Sequence, residues 1–130
     1  NRIDFDAAMK AGYDFVIIRI GYNSTKDSYF ESNYNKAIAS GMKVGVYLYT
    51  TGLTSEQAVF DAKVVLKWLQ FRKLDFPIAY DLEENSMKSA SRKNINSEMY
   101  NAFSNEIKKN SNYRCMLYTG ENMFNNYFRI

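Results

Sequence analysis

Four short runs rich in β-branched and aromatic residues recur along the chain, at residues 15–21, 43–49, 78–83 and 114–119. Each run has the length of a strand, and a stretch with helical features separates it from the next run. Crossovers of that length suit parallel strands, because the chain must travel back along the sheet before it can pair again. The sequence therefore predicts an α/β fold, a parallel β/α repeat of about four strands and about five helices.

Capping residues mark where the predicted helices begin. Ser28 with Glu31, and Thr54 with Gln57, have the spacing of a capping box, and Asn96 is a candidate N-cap. These signals predict the starts of the second, third and fourth helices. A short helix before the first strand and another after the last strand complete the repeat.

Period-two alternation divides the residues of each predicted strand between two faces. The face expected to pack under the helices carries Val16, Ile18, Ile20, Val44, Val46, Leu48, Ile78, Tyr80, Leu82, Cys115 and Leu117. The other face carries Ile17, Arg19, Gly21, Gly45, Tyr47, Tyr49, Ala79, Asp81, Glu83, Met116 and Tyr118. Polar residues of this second face lie towards the strands' carboxyl ends, where parallel α/β proteins bind substrates. They form either one candidate site or an inward polar layer that satisfies its own hydrogen bonds.

Composition limits the chemistry that this site can perform. The 130 residues are 46% hydrophobic and 24% charged, which is typical of one globular domain, here expected to span 1–130. The chain has no histidine and one cysteine, which excludes Ser-His-Asp and Cys-His catalysis, histidine-ligated zinc and an internal disulfide. Catalysis must therefore use carboxylates, tyrosine, lysine or arginine, and no cofactor or metal is expected.

Charge and hydropathy give two further expectations about partners. The net charge of +3 comes from scattered lysines and arginines, so no nucleic-acid partner is expected. The apolar stretch at 15–20 contains Arg19 and is far shorter than a membrane-spanning helix, so no membrane partner is expected either.

The third strand ends in an acidic pair. Asp81 and Glu83 are two residues apart, so in a strand they share a face with their Cα atoms roughly 6.6 Å apart. Carboxyl pairs cleave glycosidic bonds with retention when about 5–5.5 Å apart and with inversion when about 6.5–9.5 Å apart. The alternative is a surface strand end whose acids are solvated or cap the next helix.

Five blocks of sequence, in order, resemble glycoside hydrolase family 25, the Chalaropsis-type lysozymes or N-acetylmuramidases of bacteria and their phages. They are DFDAAMKAGYDFVIIRIGYN, the motif Asp27-x-Tyr29-Phe30-x-x-Asn33, KVGVYLYT, FPIAYDLEEN and CMLYTG. The resemblance implies a retaining glycosidase that cleaves the β-1,4 bond between N-acetylmuramic acid and N-acetylglucosamine in peptidoglycan glycan strands.

The resemblance also implies roles for individual residues. Glu83 matches the family's general acid/base, and Asp81 matches the carboxylate that faces an oxazolinium or oxocarbenium centre. Tyr47 and Tyr118 match positions that line the sugar groove, as Tyr49 does less specifically. Arg19, on the same face, is also expected to bind substrate and to keep Asp81 ionised.

The chain is short for this family, whose (β/α) barrels need on the order of 200–250 residues. The family's first strand and its last strands have no counterpart in the sequence, which predicts the central part of a TIM-like barrel with an unclosed sheet. Three alternatives explain the short length: the chain is a fragment of a longer enzyme, it self-associates through the open barrel, or it is a non-catalytic glycan-binding or structural half-barrel. The resemblance implies a secreted, wall-associated or phage-delivered protein, although no signal peptide opens the chain.

Overall fold

The computed structural model describes residues 3–129; of the predicted domain 1–130, residues 1, 2 and 130 lie outside the described residues. Within residues 3–129 the chain forms one five-stranded sheet and five α-helices. The strands are β1 (Phe15–Tyr22), β2 (Thr25–Lys26), β3 (Lys43–Tyr49), β4 (Ile78–Asp81) and β5 (Cys115–Tyr118). The helices are α1 (Phe5–Lys10), α2 (Phe30–Ala39), α3 (Ser55–Leu69), α4 (Lys93–Asn110) and α5 (Glu121–Tyr127).

The strand order is β2-β1-β3-β4-β5, and β1, β3, β4 and β5 are parallel. The predicted fold class is confirmed: the sheet is unclosed and consistent with part of a (β/α) barrel. β2 is additional to the four predicted strands, and it pairs antiparallel with the end of β1. Two residues are too few for periodicity to reveal a strand.

The core lies between the sheet and the helices, as the alternation predicts. Fully buried side chains of the helix-facing side come from three adjacent strands and from the residue that follows β4: Ile18, Ile20, Val44, Val46, Leu48, Ile78, Tyr80 and Leu82. Helix α3 contributes Ala62, Val65 and Leu69, and α4 contributes Met99, Phe103 and Ile107. Burial of each valine, leucine, isoleucine, phenylalanine or methionine side chain in this core stabilises the fold by about 1.5–3 kcal/mol.

One residue is on the opposite face from the one that the alternation predicts. The register between β1 and β3 shifts between Arg19 and Gly21, which is a β-bulge. Gly21 therefore points to the helix side, where an added Cβ would lie 2.5 Å from Trp68. Tyr22 takes the place predicted for Gly21, because the bulge interrupts the period of two.

Three boundary predictions are also corrected. The N-cap of α2 is Tyr29 rather than Ser28 and has no side-chain cap. Helix α4 begins at Lys93, and Asn96 lies inside it, where its buried amide donates to the carbonyl oxygens of Met87 and Tyr127. The third predicted strand ends at residue 81 rather than 83.

Helix α3 begins with a side-chain cap from Thr54, at the position that the sequence predicts. The Thr54 hydroxyl oxygen accepts a hydrogen bond from the backbone N–H of Gln57 at 3.1 Å, as predicted. Among residues 3–129, no helix combines the length and the apolar character needed to cross a bilayer.

Candidate functional site

A cavity of about 750 Å³ opens at the carboxyl ends of the parallel strands, on the face of the sheet away from the helices. All six residues that the sequence predicts for the site line this cavity: Arg19, Tyr47, Tyr49, Asp81, Glu83 and Tyr118. The sheet register explains their convergence, because residues at equal height on neighbouring strands are about 4.8 Å apart.

Four of the lining residues form one row across the sheet. Tyr22 on β1 pairs in register with Tyr49 on β3, Tyr49 pairs with Asp81 on β4, and Asp81 pairs with Tyr118 on β5. Asp81 therefore lies between two tyrosines, with a third at the far end of the row. Sequence reasoning missed Tyr22, although a glycine inside a strand, here Gly21, is a known signal of a bulge.

The acidic pair differs in burial. Asp81 is only 4% exposed, whereas Glu83, just beyond the end of β4, is partly exposed. Oδ1 of Asp81 has no hydrogen-bond partner among the described residues. Burial, an interaction with the Glu83 side chain and the negative charge of Glu83 raise the pKa of Asp81 to about 8. At neutral pH the pair therefore holds a proton.

Arg19 does not act on Asp81 as expected. Its Nε donates a 2.8 Å hydrogen bond to Oδ2 of Asp27, and β3 lies between its own strand and β4. Burial opposes ionisation of Asp27, but the Tyr29 amide and Arg19 together hold the pKa of Asp27 below its ordinary value. The expectation that Arg19 keeps Asp81 ionised is thus wrong, since the sheet order separates the two strands.

The tyrosines form the polar and aromatic walls of the cavity. The Tyr49 hydroxyl donates to Glu84, and that bond together with burial raises the pKa of Tyr49. Its ring stacks on Tyr22, with centroids 5.1 Å apart and planes 18° apart. Burial raises the pKa of Tyr47, while Tyr118 is 56% exposed. The raised pKa values keep the phenols of Tyr47 and Tyr49 protonated at neutral pH, so both are hydrogen-bond donors.

This arrangement suits a pyranose. A sugar ring presents apolar C–H faces that pack on aromatic rings, and hydroxyl groups that bond to phenols. A carboxyl pair that holds one proton can donate it to a leaving oxygen and afterwards take one from water. The geometry favours acid/base chemistry on a carbohydrate bound along the row of tyrosines.

Comparison of the fold with solved structures gives several strong matches. The modular autolysin LytC from Streptococcus pneumoniae, also solved in complex with a synthetic peptidoglycan ligand, matches with a TM-score of 0.84 and 23% identity over 95% of this chain. The CTP1L endolysin matches with a TM-score of 0.84 and 22% identity over 99% of this chain. A family 25 lysozyme from Aspergillus fumigatus matches with a TM-score of 0.74 and 26% identity over 97%.

The chain spans only part of these proteins: 31% of LytC, 44% of CTP1L and 63% of the Aspergillus fumigatus lysozyme. No curated protein sequence matches the chain. The model of glycosyl hydrolases family 25 matches residues 1–130. On that match, the chain belongs to glycosyl hydrolases family 25.

Proposed function

We propose that the chain is a partial catalytic domain of a peptidoglycan hydrolase that cleaves the β-1,4 bond between N-acetylmuramic acid and N-acetylglucosamine with retention. The row that places Asp81 between Tyr49 and Tyr118, with Glu83 in the same cavity, carries this proposal. Family membership and the peptidoglycan complex of the structurally similar LytC support glycan strands as the partner.

In the proposed mechanism Glu83 is the general acid/base and Asp81 is the stabilising carboxylate. The proton held by the pair passes through Glu83 to the glycosidic oxygen as the bond to the anomeric carbon breaks. Positive charge then develops on the sugar and favours the ionised form of Asp81, which faces either an oxocarbenium centre or an N-acetyl-derived oxazolinium. Water attacks next, and Glu83 accepts its proton, so that both carboxyls return to their starting state.

Glu83→Gln tests this assignment, with the exposed helix residue changed in Glu98→Gln as the matched control. We expect Glu83→Gln to abolish the loss of turbidity of purified cell walls and the release of new reducing ends, with the circular dichroism spectrum unchanged. Loss of one catalytic carboxyl removes on the order of 10²–10⁴-fold in rate. Normal lysis by the Glu83→Gln protein would refute the role of Glu83.

The alternative is a non-catalytic glycan-binding or structural half-barrel, which the open cavity favours. Tyr118 and Tyr22 line it and remain exposed, so glycan could bind there without being cleaved. This alternative predicts that the unmutated chain is retained on peptidoglycan and produces no new reducing ends. Self-association through the unclosed sheet is a separate alternative, in which a truncated chain completes itself by dimerising, and light scattering in solution measures it directly.

The proposed place of action is the bacterial cell wall. The structurally similar LytC is described as an autolysin and CTP1L as an endolysin, and this chain shares their fold. We propose accordingly that the chain acts on walls after secretion or phage delivery.

A further inference from the structure

A fully buried carboxylate lies behind the sheet, outside the cavity. Asp61, on α3, is 0% exposed and takes part in no ion pair within residues 3–129. Three neutral donors reach it: the hydroxyl of Thr50 at 2.7 Å, the phenol of Tyr80 at 2.6 Å and the side-chain amide of Gln57 at 3.2 Å. A buried charge is costly unless it is fully hydrogen-bonded, and apolar groups of equal size often stabilise a core as well. Core stability alone therefore does not explain an acid here.

Two of these donors belong to residues whose backbone adjoins that of Asp81, one along the chain and one on the neighbouring strand. Tyr80 directly precedes Asp81 and points to the opposite face of the sheet. Thr50 follows β3, and its backbone amide donates to the carbonyl oxygen of Asp81 at 3.5 Å. Oδ2 of Asp61 accepts from both side chains, so this one oxygen links the residue before Asp81 to the strand beside it.

The Tyr80 side chain has little freedom to move. Its ring stacks on Phe103 of α4, with centroids 3.9 Å apart and planes 6° apart, and it is fully buried. Burial and Asp61 raise the pKa of Tyr80, so the phenol stays a donor at neutral pH. The side chain is thereby held by α4 at its face and by α3 at its end.

The same network reaches the end of β1. Asn23, in the left-handed region with φ of 53°, accepts from the Thr51 amide at 2.8 Å and donates to the Thr51 hydroxyl at 2.9 Å. The backbone N–H of Asn23 donates to the carbonyl oxygen of Tyr49. The carboxyl ends of the three strands that carry Tyr22, Tyr49 and Asp81 are therefore connected by polar contacts.

We propose that Asp61 is a positioning residue, which through Tyr80 and Thr50 holds the end of β4 so that Asp81 stays buried against Glu83. This deepens the proposed function and rests on it for its catalytic meaning. If the anchor is lost, the end of β4 relaxes, Asp81 gains solvent and moves away from Glu83, and its affinity for a proton falls.

The test is Tyr80→Phe, which removes one donor without changing any charge. Tyr34→Phe is the matched control, because Tyr34 is also buried and its phenol donates to the carbonyl oxygen of Lys73 at 2.8 Å. The midpoint of Asp81 is measured from carbon-13 shifts of side-chain carboxyl groups in the labelled chain. We expect about 8 in the unmutated chain, a fall of about one pH unit or more in Tyr80→Phe, and no change in Tyr34→Phe.

A second pair of variants keeps the inference testable if Tyr80→Phe does not fold. Thr50→Val should lower the Asp81 midpoint in the same way, and Thr50→Ser, which keeps the hydroxyl, should restore it. Unchanged midpoints in the variants that lose a donor would overturn the inference. So would an equal fall in Tyr34→Phe, or a midpoint near 4 in the unmutated chain.

The carboxyl titration needs no turnover, so it separates the two proposals. A chain that fails to release reducing ends while its Asp81 responds as expected would contradict the proposed function alone. If the chain cleaves peptidoglycan but the titration midpoint of Asp81 is unchanged in Tyr80→Phe, the positioning role alone is contradicted.

Discussion

Asp81→Asn should stabilise the protein at neutral and alkaline pH and have little effect in acid. The pKa of Asp81 is about 8 in the folded chain, against an ordinary value of 3.8 for an unfolded one. Between those values the folded state binds a proton that the unfolded state has released, so the free energy of unfolding falls as pH rises. Asparagine has no proton to lose, and the variant escapes this decrease.

The size of the effect follows from the pKa difference. About four pH units correspond to an upper limit of roughly 5–6 kcal/mol, at about 1.36 kcal/mol for each unit. Asp81 is little exposed, but it borders a cavity open to water, which screens its charge, and we expect about 2–3 kcal/mol. In a chain of this length that is roughly 8–12 °C in the unfolding midpoint.

The assay is thermal unfolding of the two proteins at a series of pH values from about 4 to about 9. The midpoint difference should be smallest near pH 4, grow through the neutral range and level off above pH 8. Groups common to both proteins cancel in this difference. A difference that stays constant across the series would refute a raised pKa for Asp81.

Asp27→Asn is the control of opposite sign. Burial opposes its ionisation, yet the Tyr29 amide and Arg19 hold the pKa of Asp27 below its ordinary value. Its contribution to stability is therefore present above pH 4 and lost as pH falls through the folded pKa. Asp27→Asn should destabilise at neutral pH, with a difference that shrinks in acid.

Two further predictions concern stability. Gly21→Ala should lower the free energy of unfolding by about 1–3 kcal/mol, because the new Cβ would lie 2.5 Å from Trp68 and 2.7 Å from the Thr25 carbonyl oxygen. Gly120→Ala is the control: a Cβ there would have no atom within 4 Å, so its free energy of unfolding in urea should be nearly unchanged. Phe71 is 97% exposed and its φ of 63° lies in the left-handed region, which glycine adopts without strain. Phe71→Gly should therefore raise the free energy of unfolding measured in urea by about 0.5–1 kcal/mol. A lower unfolding midpoint in urea would contradict backbone strain at this residue.

Local patterns predicted most of the sheet and the cavity. Alternation in three adjacent strands separated Ile18, Val46 and Tyr80 from Arg19 and Asp81, and those faces are as expected apart from the bulge. The pattern succeeds because side-chain direction in a strand has a fixed period and helices cover one face. The six predicted cavity residues follow from this period and from the shared direction of the parallel strands.

Contacts between distant residues depended on the tertiary structure. The link between Asp61 and Tyr80 joins a helix to a strand 19 residues away, and nothing local in the sequence marks it. Asn96 likewise resembles a helix cap in sequence but satisfies two distant carbonyl groups from inside α4.

The sequence by itself determined the fold class, the buried face of the sheet and the absence of histidine and of a cysteine pair from these 130 residues, because composition and periodicity are local properties. Only the tertiary structure decided that Arg19 pairs with Asp27, that Tyr22 enters the row and that Asp81 has the raised pKa. These depend on strand order, on one bulge and on burial, which arise when separate segments pack together. The acidic pair was readable from its spacing, whereas the location of its proton required the surroundings that folding provides.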